Sequence, residues 1–209
     1  MPSINTIRRV YKPIVFVLCL VPLLHLVAGA FGLVSLGADP VARVLHELGE
    51  WGLRFLVITL AVTPVRLILG QPWLGQFRRM LGLYGFTYVL LHFLTWLILD
   101  QGMYWPGILE DIGKRPFITI GFAALLLMTP LAVTSTNKMM RRLGKRWQKL
   151  HRLIYVIVPL GVWHFWWLVK KDITEPLIYA AITAFLLGYR IRQHRKRKSA
   201  HAALAAHES

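Results

Sequence analysis

Residues 13–34 and 116–137 each run 22 positions without a charged side chain. A helix that crosses the roughly 30 Å hydrocarbon layer at about 1.5 Å per residue needs about 20 such residues, and a helix of a soluble core does not. Residues 80–99 and 153–169 are also uncharged, while 51–69 holds only Arg54 and Arg66 near its ends. A sixth run, 176–189, is short and borrows Ile173 and Ile191 at its rims. With 56% hydrophobic residues in 209, the chain has more apolar surface than a soluble domain of this length can enclose. The expected fold is an all-α integral membrane protein, a six-transmembrane-helix bundle over residues 13–191. Residues 1–12 form a short N-terminal segment, and 192–209 form a basic tail expected to be disordered.

The formal charge of +16 would suggest nucleic acid if the cations were clustered on one surface, but they alternate with the spans. The N-terminus, the second and fourth connections and the tail hold three, three, seven and six Lys and Arg, nineteen in all. The opposite side holds five: Arg43, Lys114, Arg115, Lys170 and Lys171. Eight of the nine acids, among them Glu47, Glu50, Asp100 and Asp111, lie on that poorer side. Lys and Arg stay on the cytoplasmic face of a bilayer, so both termini are expected in the cytoplasm and the chain in a bacterial inner membrane as a multi-pass protein. The basic face then meets anionic lipids, and no nucleic-acid partner is implied.

Arg8 and Arg9, the apolar stretch behind them and Ala28-Gly29-Ala30 also fit a signal peptide with its small-residue cleavage site. Against that reading stand Pro22 and His25 within the run and the apolar sequence that continues past Ala30. The only cysteine, Cys19, lies in the first span, so no disulfide within the chain and no thiolate metal centre is expected. The longest connections, 35–50 and 100–115, have 16 residues each, and no glycine-rich nucleotide loop occurs. A cofactor must therefore bind among the helices or at their ends.

Four histidines lie in or beside the apolar runs: His25, His92, His151 and His164. An ionisable side chain in a bilayer is costly enough to be a functional candidate, although a single histidine often only bonds a neighbouring backbone carbonyl. Depth separates the four. His92 lies 12 residues past Met80 and His164 lies 13 past His151, so both stand about 18–20 Å from the basic side on helices running the same way. Two neutral imidazoles facing each other across a bundle suit the two axial positions of a b-type haem. His25 reaches a similar level on the first span and is a rival ligand. Trp163, Trp166 and Trp167 fit an interfacial aromatic belt.

Three stretches, 77–96 (FRRMLGLYGFTYVLLHFLTW), 129–155 (TPLAVTSTNKMMRRLGKRWQKLHRLIY) and 162–167 (VWHFWW), carry a family resemblance. The chain resembles the ferric-reductase-like six-helix membrane domains over 45–189, and more closely the MsrQ (YedZ-like) family of haem-binding subunits of methionine sulfoxide reductase systems. The resemblance implies that 13–191 is a ferric-reductase-like transmembrane haem-binding domain. It also implies haem b as cofactor, with His92, His151 and His164 haem-associated and serving as metal ligands, and FMN as a second cofactor.

Two departures matter. Ferric reductases and NADPH oxidases carry two histidines on the third helix, 14 residues apart, but here the position 14 before His92 is Arg78. A guanidinium does not ligate iron, yet it pairs with a haem propionate or a flavin phosphate, which makes Arg78 and Arg79 cofactor-binding candidates and leaves His151 without its usual partner. The ordinary reading of both arginines is a topology signal at a helix start. The second departure lies beyond Tyr189, where the FAD- and NADPH-binding domain of those enzymes is not expected.

The expected function is therefore electron transfer. The chain would take electrons from membrane quinol, or from a separate cytosolic flavin reductase, and pass them to a periplasmic, molybdopterin-containing catalytic subunit (MsrP-like). In this role it supports repair of oxidised periplasmic proteins and has no sulfoxide chemistry of its own. A stand-alone ferric or quinol-linked reductase, a six-helix transporter and a structural anchor are the other classes; none of the nine acids lies mid-span, which disfavours a transporter. Thr63-Pro64 and Thr129-Pro130 hint that helices two and three repeat as helices four and five.

Overall fold

The computed structural model describes residues 2–169 and 172–207. Lys170 and Lys171, counted above on the outer side, lie outside the described residues, as do the side chains of the tail histidines His201 and His207. Helix α1 spans Ile4–Ala30, α2 Pro40–Ile68, α3 Pro72–Asp100 and α5 Pro116–Val133. These four are long and apolar enough to cross a membrane. A short helix, α4 (Trp105–Lys114), joins α3 to α5, and α6 (Asn137–Leu143) and α7 (Lys145–Leu150) lead into α8 (Ile154–Leu168). Helix α9 is Thr174–His207. Helix is the only regular secondary structure among the described residues.

Two expectations change. Helix α2 begins at Pro40, so most of the expected 35–50 connection is helical: Asp39 caps it by accepting from the Ala42 amide at 3.0 Å, and Pro40 occupies the first turn, where its missing N–H costs nothing. The segment expected to be a disordered tail from 192 continues α9 as far as His207, which agrees with its content of Ala, Lys and Arg, all good helix formers.

Helices α2 and α3 form one antiparallel hairpin, and α5 and α8 a second, with α9 packed on α8 and α2. Glycines let the first pair approach closely: a Cβ at Gly52 would lie 2.7 Å from Val89, and one at Gly85 would lie 3.0 Å from Leu56. The core between the hairpins is built on Leu53, Leu60, Ile157 and Val158. On the outside, Phe16, Leu18, Val21, Leu126, Val133 and Phe185 are exposed, the pattern of helices whose surroundings are lipid.

Helix α1 is fastened to α3 beside Pro22. The fully buried Tyr88 hydroxyl enters the helical ladder there, accepting from the Leu23 amide at 3.0 Å and donating to the Cys19 carbonyl at 2.8 Å. A hydroxyl bonded into the helical ladder in this way is a known means of bending a helix. Tyr84 repeats the contact one turn lower, donating to the Phe16 carbonyl at 2.9 Å.

All four ion pairs among the described residues lie at one end of the bundle: Arg43 with Glu47, Arg54 with Glu50, Lys114 with Glu110 and Arg115 with Asp111. This is the acid-bearing end of the sequence. The opposite, basic end carries Arg78, Arg79, Arg141, Arg142 and Arg152.

Candidate functional site

His92 on α3 and His164 on α8 face each other between the hairpins. Their ring centroids are 6.1 Å apart and their planes cross at 79°. Each ring is held from behind in the same way. His92 Nδ1 is 2.8 Å from the Leu45 carbonyl and His164 Nδ1 is 2.7 Å from the Phe117 carbonyl. A carbonyl only accepts, so each Nδ1 carries the proton and donates, and each Nε2 keeps its lone pair.

Two neighbouring imidazoles, each with an Nε2 lone pair to give, are a metal-binding pair. A metal–nitrogen bond of about 2 Å, plus about 1.1 Å from ring nitrogen to ring centre, puts the centroids of two axial imidazoles about 6 Å apart. The observed separation matches. No cluster of three or more His, Cys, Asp or Glu able to hold a metal exists among the described residues. An octahedral ion bound by these two imidazoles must bring its equatorial ligands with it, as haem iron does. The cavity at the pair, about 340 Å³, lies within the range of cofactor pockets. Its walls are apolar, among them Leu53, Phe93, Leu125 and Phe165, and His46, Glu50, Asp100 and Arg115 line it toward the acid-bearing end.

His25, the rival on α1, is exposed on the outside of the bundle and does not line this cavity. Trp163 and Trp167 are also turned outward, which agrees with a belt at the membrane interface.

A second cavity, about 590 Å³, opens at the basic end. His151, Arg78 and Arg79 all line it, together with Lys12, Arg152 and Tyr155. His151 stacks on Trp147, with ring centroids 3.8 Å apart, and donates from Nδ1 to the Trp147 carbonyl at 3.0 Å. Its Nε2 stands 3.4 Å from the Ser135 hydroxyl, but that hydroxyl donates to the Leu131 carbonyl at 2.7 Å, so Nε2 keeps a lone pair. Burial pushes the His151 imidazole below the ordinary histidine value and the Arg78 guanidinium adds to this, against the hydrogen bond to the Trp147 carbonyl. It is neutral at pH 7. Arg79 donates to the Asn137 side chain and, at 3.0 Å, to the Met140 sulfur, which ties α3 to α6. The two cavities share Leu56 and Met128 as a common wall.

The sequence reading missed the groups that support the histidines. Gly49 lies against the His92 ring and Gly121 against the His164 ring. In both cases the histidine follows its glycine by 43 residues and its carbonyl partner by 47. The two hairpins thus share this spacing, whereas the Thr-Pro dipeptides do not keep one: Thr63 precedes His92 by 29 residues, and Thr129 precedes His164 by 35. The shared Gly-to-His spacing was the available signal.

Comparison with known proteins bears on the same residues. The family model for the ferric reductase like transmembrane component matches residues 48–162, a stretch that includes His92 and His151 and ends two residues before His164. Curated relatives named protein-methionine-sulfoxide reductase heme-binding subunit MsrQ are similar over most of the chain. The one from Xanthomonas euvesicatoria is 57% identical over 75% of this chain and 72% of its own. That from Xanthomonas campestris is 54% identical over 84% and 79%, and that from Ralstonia nicotianae 52% over 88% and 85%. By this measure the chain belongs to the ferric-reductase-like transmembrane family and, within it, to the MsrQ subunits of the protein-methionine-sulfoxide reductases.

Proposed function

We propose that the chain is the haem b membrane subunit of a methionine sulfoxide reductase system, with His92 and His164 as the axial ligands. The observation that carries this reading is the opposed pair of imidazoles, 6.1 Å apart, each held as the Nδ1–H tautomer by a backbone carbonyl. Haem supplies a one-electron carrier inside a layer that charge does not otherwise cross. The chain's own residues keep two lone pairs in place and surround them with apolar walls. The names of its relatives support both the haem and a catalytic partner subunit.

The finer parts of the reading follow from the charge pattern and the two cavities. Six helices cross the bacterial inner membrane, both termini are cytoplasmic, and the basic face rests on anionic lipids. The basic cavity, with neutral His151 beside Arg78 and Arg79, is the entry side. It takes FMN or another anionic group, and membrane quinol or a cytosolic flavin reductase is the electron source. The acid-bearing end is the exit side, toward a periplasmic molybdopterin subunit of the MsrP type.

The test is spectroscopic. Purified protein assayed by pyridine haemochrome is expected to show b-type haem with a reducible Soret and alpha band, and a colourless protein from haem-replete cells overturns the proposal. Location reporters are expected to place Glu110 outside and the segment beyond Arg192 inside; a tail found outside would reverse the exit face.

A further inference from the structure

The imidazole planes at the site cross at 79°, and nothing in a histidine side chain itself sets such an angle, because its second torsion is broad. The orientation has to come from the surroundings. Each ring meets two fixed points. One is a carbonyl that receives its Nδ1 proton, Leu45 for His92 and Phe117 for His164. The other is the bare backbone of a glycine four residues later, one helical turn along the same face. A Cβ on Gly49 would stand 3.0 Å from His92 Nδ1 and 3.1 Å from Cε1. On Gly121 it would stand 2.8 Å from His164 Nδ1 and 2.9 Å from Cε1.

We infer that Gly49 and Gly121, with the carbonyls of Leu45 and Phe117, are paired seats that set the rotation of the His92 and His164 rings and hold the two axial planes crossed. The inference rests on the axial-ligand reading above and adds to it two positioning residues and an electronic consequence. The carbonyl fixes where each ring points, and the glycine lets the ring edge lie against the helix backbone. Any side chain at the glycine must displace the ring, stretch the Nδ1 bond, or both. The matching spacing in the two hairpins gives each ring the same kind of seat.

Ring orientation has a direct reading at a low-spin ferric iron. Parallel axial planes split the two orbitals that receive imidazole π-density and give a rhombic EPR signal. Crossed planes leave those orbitals nearly equal in energy and give a highly anisotropic signal dominated by one large g value. The wild-type holoprotein is expected to show the second kind.

The experiment compares full-length, haem-loaded Gly121→Ala, Gly49→Ala and Gly188→Ala at equal haem content, by EPR and by the ferric optical spectrum. A Cβ at Gly188 meets nothing within 4 Å, so that variant is expected to match wild type. Gly121→Ala, the tighter seat, is expected to lose the wild-type signal, with a rise in high-spin haem. Gly49→Ala is expected to shift the signal partly toward the rhombic kind. A rhombic wild-type signal overturns the inference, as does wild-type EPR in both seat variants. If Gly121→Ala does not fold, Gly49→Ala decides alone. His92→Ala and His164→Ala separate this inference from the reading beneath it. If they keep the low-spin signal, the ligand assignment fails; if they lose it while the glycine variants keep it, the seats alone fail.

Discussion

Leu56 and Met128 form the wall between two cavities that share a scaffold and differ in what faces inward. On the acid-bearing side two imidazoles oppose each other and neither hairpin lacks a ligand candidate. On the basic side one imidazole, His151, has cations for company in Arg78, Arg79 and Lys12. A pair of lone pairs at fixed separation selects a metal and has little use for a phosphate. A single lone pair amid guanidinium groups suits an anionic group, with fixed donors ready for its oxygens. Within one helical frame, a change of side chain at one level changes the chemistry a cavity accepts.

The sharpest way to break the contrast is to remove one imidazole of the pair. His92→Ala or His164→Ala is expected to abolish the six-coordinate low-spin spectrum and most electron transfer to the partner subunit. If either variant keeps both, the His92 and His164 pair does not hold the haem.

A smaller effect is expected at the other cavity. Arg78→Gln combined with Arg79→Gln removes two charge-assisted donors, so bound flavin is expected to weaken by about tenfold or more, with most haem retained. Unchanged flavin in equilibrium dialysis would reduce the two arginines to topology signals. His151→Ala is expected to disturb the same cavity and leave the low-spin spectrum of the His92 and His164 pair in place. Because its imidazole is held below the ordinary value by burial, His151 stays neutral at pH 7, and whatever depends on its lone pair is expected to weaken only as the pH falls below the ordinary histidine range.

The smallest change is expected at His25. Its side chain is exposed on the outside of α1, so His25→Ala is expected to leave the haem spectrum intact and stability within about 0.5 kcal/mol. Loss of haem in this variant, with haem retained in His92→Ala, would move the ligand to the first helix.

Much of this was legible in the residues alone. Span length and the absence of charge are imposed by the bilayer, so the membrane helices could be found by counting along the chain. The rise of a helix is constant, so the common depth of His92 and His164 could be counted too. What depth does not determine is rotation about the helix axis. His25 lies at a similar level by the same count, and only the packing of α1, with Tyr88 inserted between Cys19 and Leu23, shows that its side chain is turned outward. Arg78 and Arg79 are adjacent in sequence, yet only the fold shows Arg79 bridging to Asn137 and Met140. Gly49 and Gly121 drew no notice as sequence, since a glycine in a membrane helix is commonplace until a ring is found against it. The sequence by itself determined the membrane character, the four long apolar helices and the shared level of His92 and His164, because those depend on composition and spacing along one chain. Which faces meet, which nitrogen is free and how the rings are turned were decided by the tertiary structure, because each depends on backbone groups contributed by a different helix.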